Sequence, residues 1–142
     1  MTVRSPRAAW ALFLAASLSG CGQGSTLVPV SGKVVFDEGG VVRSGIIELT
    51  SVDNRHTARS RISPDGTFHL GTHTNTDGAY VGRYRVIVAQ IVPVEDVPAT
   101  GHAPHGLVHE KYADYATSGL TAEIPPKGVT DLLITVSQGA AR

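Results

Sequence analysis

The chain has 142 residues, with twelve Lys and Arg balancing twelve Asp and Glu, 42% hydrophobic residues and only 6% aromatic residues. That length suits one domain, and a 17% charged fraction in balanced signs excludes both a strongly basic polyanion binder and an acidic disordered tail. A single Cys excludes an internal disulfide and a Cys-based zinc finger.

Residues 1–20 read as a secretory signal. Arg4 and Arg7 make a positive start, Ala8 to Leu18 is an eleven-residue apolar run, and Ser19 and Gly20 lead into Cys21. The run is too short to span about 30 Å of hydrocarbon. Leu18-Ser19-Gly20-Cys21 resembles the lipobox of bacterial lipoproteins. The resemblance implies recognition of Leu18, Ser19 and Gly20 by a signal peptidase and cleavage before Cys21. It also implies acylation of the Cys21 thiol and of the new N-terminus, because the thioether needs a thiol. Two or more acyl chains, at about 0.8 kcal/mol per buried CH₂, anchor a protein stably. The same resemblance implies an exported protein held at a bacterial membrane, and Gly22 in place of Asp points to the outer membrane over the inner. An ordinary cleaved signal with an incidental Cys is the alternative. Cleavage removes two Arg and no acid, leaving ten basic against twelve acidic residues, a net charge of −2. That balance argues against nucleic acid and against electrostatic attraction to anionic lipid.

Residues 21–27 then form a lipidated N-terminus and short polar spacer, and residues 28–138 one all-β domain. Strands are expected at Val30–Phe36, Ile46–Val52, Thr57–Ile62, Thr67–Leu70, Arg83–Val92, Leu120–Ile124 and Leu132–Ser137, most of them by apolar and polar alternation. Arg83–Val92 is apolar on both sides along its middle and reads as central. Ser63-Pro64-Asp65-Gly66 has the signature of a type I turn, and Pro125-Pro126-Lys127-Gly128 separates the last two strands. Seven short strands without a helical stripe predict a seven-stranded, two-sheet, Ig-like sandwich. The expected core is Val34, Phe36, Ile47, Leu49, Ile62, Phe68, Leu70, Ile87, Ile124, Leu132 and Ile134. Residues 93–118 form a long, proline-containing segment with little periodicity, a length that in a compact domain is usually functional or disordered.

Four segments resemble, in order, bacterial lipoproteins of the carboxypeptidase regulatory-like, or transthyretin-like, domain family. They are Val28-Pro29-Val30-Ser31-Gly32-Lys33-Val34, Pro64-Asp65-Gly66-Thr67-Phe68, Gly82-Arg83-Tyr84-Arg85-Val86, and Glu110-Lys111-Tyr112-Ala113-Asp114-Tyr115-Ala116-Thr117-Ser118-Gly119-Leu120. The last matches the family's KYADPxTSGL block, with Tyr115 in place of Pro, so that its turn is less rigid. The loop Gly101-His102-Ala103-Pro104-His105-Gly106 departs from the proline-rich loop of relatives. The resemblance implies a transthyretin (prealbumin)-like sandwich, lipid anchoring, and no established enzymatic activity. Tyr112, Asp114 and Gly119 are read as structural loop residues, and one or both of Tyr112 and Tyr115 are expected to fold down and plug the open end of the sandwich, with the hydroxyl bonded to backbone.

His102, His105 and His109, with Glu110 and Asp114 behind them, have the residue types of a zinc or copper shell. Loop histidines in solvent are the plainer reading, because no helix holds them in register. His69 and His73 are weaker candidates, one on the wet face of a strand and one in a turn. Asp53, Asp65 and Asp77 lie in turns without the spacing of a calcium loop. Arg59, Arg61, Arg83 and Arg85 make a basic stripe if their strands lie side by side, which would favour an acidic peptide or polysaccharide; otherwise they are a solvated face. No G-x-S-x-G, P-loop or dinucleotide motif is present. Transthyretin-like hydrolases use paired His and Arg with a C-terminal tetrapeptide that the end of this chain does not show.

The expectation is therefore a lipid-anchored, non-enzymatic envelope module. It carries no cofactor beyond the lipid on Cys21, and its partner is an envelope protein or polysaccharide. A metal-binding envelope protein and a transthyretin-like hydrolase are the alternatives.

Overall fold

The computed structural model describes residues 26–90 and 106–139. Nine strands are present among them: β1 Leu27–Val28, β2 Val30–Phe36, β3 Ile46–Ser51, β4 Thr57–Arg61, β5 Thr67–His69, β6 Ala79–Tyr80, β7 Gly82–Ala89, β8 Leu120–Ile124 and β9 Val129–Val136. One 3₁₀ helix, Glu110–Ala113, interrupts them. The described protein is all-β.

A four-stranded sheet runs β4-β3-β7-β8, a three-stranded sheet runs β5-β2-β9, and β1 pairs with β6 in a third, two-stranded sheet. The arrangement is open and sandwich-like. Each alternating segment gives one buried set of side chains, as a period of two requires. Ile47 and Leu49 of β3 and Val86 and Val88 of β7 meet Val34 of β2, Phe68 of β5 and Ile134 of β9 in one buried cluster.

All seven expected segments fall on strands, although the end of the fifth, at Ile91 and Val92, lies outside the described residues. The count differs, because β1 and β6 add a sheet that the sandwich expectation lacked. They are two residues long, too short to show alternation. Pro29, which has no N–H to donate, separates β1 from β2, and Val81 separates β6 from β7.

The turns carry the chain between sheets. In the turn at Ser63–Gly66, the Gly66 N–H donates to the Ser63 carbonyl at 2.8 Å, and the chain passes from β4 of one sheet to β5 of the other. The Gly128 N–H donates to the Pro125 carbonyl at 2.9 Å, and the chain crosses from β8 back to β9, parallel to β2. At Gly32 the strands press together, and a Cβ there would stand 1.9 Å from the Leu132 carbonyl oxygen.

Ile87 departs from the expected core. It is paired with Glu48 on the outer face of the four-stranded sheet, while Tyr84, Val86 and Val88 point inward. A segment apolar on both faces conceals its phase, and Tyr84 settles it. Its ring is buried and its hydroxyl donates to the Tyr80 carbonyl at 2.8 Å, so the one polar atom is satisfied. Leu132 is half-buried and packs against the core.

Candidate functional site

A cleft of about 620 Å³ opens beside β4, an edge strand. Because Ala58 is buried, the period of two turns Arg59 and Arg61 outward. Arg59 exchanges two backbone hydrogen bonds with Gly71, at 2.9 and 3.0 Å, which brings residues 71–76 up as the opposite wall. Gly71 is required there, since a Cβ would stand 1.8 Å from the Thr74 carbonyl oxygen. Asp77 holds the wall in shape. Its carboxylate accepts from the Thr72 N–H at 2.7 Å and from the His73 and Thr74 N–H groups at 3.1 Å each. Burial alone would raise the Asp77 pKa, but the three amides outweigh it and hold the group below its ordinary value. The Ser60 hydroxyl, which accepts from the His69 N–H at 3.2 Å, ties β5 to β4.

The cleft thus gathers Arg59, Arg61, His69 and His73 with Ser, Thr and Asn side chains; among the described residues no carboxylate lines it, although the β3–β4 register sets Glu48 opposite Arg59. The His73 Nε2 lies 3.0 Å from the Tyr80 hydroxyl. Among the described residues, neither guanidinium in the cleft has a hydrogen-bond or ion-pair partner. Such a site can receive an anion through the forked donors of Arg.

The four arginines do not form one stripe, because β3 lies between β4 and β7. Arg85 is engaged elsewhere. Its Nη2 donates to the Asn54 Oδ1 at 2.5 Å, and its guanidinium lies 5.3 Å from the centre of the Tyr115 ring. Arg83 is exposed and opposite Glu123 of β8.

Residues 109–120 make a compact fastening on the four-stranded sheet. The His109 Nδ1 accepts from the Lys111 N–H at 3.1 Å and caps the 3₁₀ helix. Tyr112 is buried, and the Ser137 N–H donates to its hydroxyl at 3.2 Å, a bond to backbone from the end of β9. The neighbouring Ser137 hydroxyl lowers the Tyr112 pKa from its usual value. Asp114 accepts from the Ala116 N–H at 2.7 Å, and Gly119 takes a positive φ of 66° that leads into β8. Tyr115 lies on the outer sheet face rather than plugging an end. Its hydroxyl donates to the Glu48 Oε1 at 3.0 Å and accepts from the Thr50 Oγ1 at 2.8 Å, and burial raises its pKa. Ser118, which sequence reasoning missed, is buried and donates to the Val86 carbonyl at 2.6 Å. Its place in the 110–120 block was the available signal.

Cys21, Leu18, Ser19 and Gly20 lie outside the described residues, as do His102 and His105. Among the described residues no group of three or more His, Cys, Asp or Glu side chains is placed to hold a metal ion, and His109 spends Nδ1 on its cap. Asp53 and Asp65 serve turns, accepting from the Ser51 and Thr67 hydroxyls at 2.6 Å each; those bonds lower both pKa values. No described helix is long and apolar enough to cross a membrane. Compared with known proteins, the chain matches no family model, no curated sequence and no solved structure.

Proposed function

We propose that the protein is a lipid-anchored, non-enzymatic binding module of a bacterial cell envelope, built on a transthyretin-like sandwich. The observation that carries the binding role is the cleft beside β4, where two guanidinium groups without a hydrogen-bond or ion-pair partner among the described residues stand with hydroxyl and amide side chains. Anchoring rests on the sequence Leu18-Ser19-Gly20-Cys21 and on a mature charge of −2, which leaves lipid rather than electrostatics to hold a membrane. The turn carboxylates support a binding role over catalysis, since Asp53, Asp65, Asp77 and Asp114 each spend oxygens on nearby turn donors. Mass spectrometry of the purified chain tests the anchor. A first residue of Cys21 carrying acyl mass is expected, and a mature chain that keeps Leu18 or carries an unmodified Cys21 would contradict it.

A transthyretin-like hydrolase is the second reading, and the same cleft favours it by collecting two His with two Arg. The two readings part at His69, whose imidazole a binding site for anions does not need and a proton-transfer site does.

A further inference from the structure

The cleft is more specific than a positive patch, and it deepens the binding reading on which this inference rests. We infer that it binds an acidic peptide segment in extended conformation, with carboxylates at alternate positions. Arg59 and Arg61 stand two residues apart on one strand, so their Cα atoms are separated by about 6.6 Å, and both side chains leave by the same face. An extended peptide lying along β4 repeats its same-face side chains at that spacing, so that successive carboxylates meet successive guanidinium forks. Each fork can then be engaged by two parallel N–H···O bonds.

Three further observations narrow the ligand. Two acids stand near the arginines and both are engaged: Glu48, opposite Arg59 in the β3–β4 register, accepts from the Tyr115 hydroxyl at 3.0 Å, and Asp77 directs its oxygens at the Thr72, His73 and Thr74 amides. Around the arginines stand hydroxyls and an amide, including Ser63, Thr74 and Asn75, which suit the alternating N–H and C=O groups of a peptide backbone. Among the described residues no Trp, Tyr or Phe lines the cleft to offer a face on which a sugar ring can stack, and Tyr80 is already covered by His56 at a centroid distance of 4.1 Å. The lining therefore favours an acidic peptide over an acidic polysaccharide.

The test uses the full chain in a neutral detergent and a short labelled peptide of alternating Glu and Thr, with binding followed by fluorescence anisotropy. Saturable, salt-sensitive binding is expected, weakened about tenfold or more in R59Q/R61Q and unchanged in R83Q, with all proteins melting at similar temperatures. A peptide of the same composition with its Glu residues in one block is expected to bind several-fold more weakly. No binding, equal binding by R59Q/R61Q, or equal binding of the blocked peptide would overturn the inference. Polygalacturonate displacing the peptide at lower carboxylate concentration would overturn it in favour of a polysaccharide. Acylation of Cys21 is read by mass alone, so failure here leaves the anchoring half of the proposed function standing.

Discussion

Asp77 shows how one carboxylate can build a wall instead of a site. It accepts from three successive backbone N–H groups, and those bonds keep its pKa below the ordinary 3.8. A carboxylate with a lower pKa folded than unfolded contributes stability that is fully present above the unfolded value and lost as pH falls through the folded one. Asp53 and Asp65 shift in the same direction, so the three act together. The melting temperature should therefore hold above about pH 4 and fall below it. Asp77→Asn should melt lower at pH 7 and lose less on acidification; an equal acid loss in wild type and variant would contradict this role. The sequence announced Asp77 as a turn former, since Asp before Gly has that habit. It could not announce the cleft, because Gly71 and Arg59 come together only through tertiary pairing.

At the scale of elements, alternation was informative wherever one face is wet. Ile47 and Leu49 of β3 are buried as their pattern requires, whereas Ile87 is out of phase because β7 is apolar on both faces and Tyr84 rather than Ile87 belongs to the core. The strands β1 and β6 were illegible because two residues hold no period. The 3₁₀ helix was illegible too, although the block around it contains Tyr112. That side chain joins the helix to the end of β9 through the Ser137 N–H and hydroxyl. Tyr112→Phe keeps the ring and removes the acceptor, and should cost about 1 kcal/mol, lowering the melting temperature of a domain this size by about 4 °C. A thermal scan that finds no change would show that Ser137 finds equal partners in water.

For the whole molecule, charge and address separate. Under the proposed function, cleavage before Cys21 would leave a chain of net charge −2 with two arginines gathered at one edge, so ligand attraction and membrane attachment would need different devices. Six residues lead from Cys21 to Leu27, the start of β1, and reach at most about 20 Å when extended, so an acylated chain would keep its sandwich close to the bilayer. The proposed hydrophobic fastening through one side chain makes a sharp demand. In cells, the native chain should sediment with membranes through high-salt washing, and Cys21→Ser should leave that fraction for the soluble one. A Cys21→Ser chain that stays with membranes as firmly as the native protein would contradict the account.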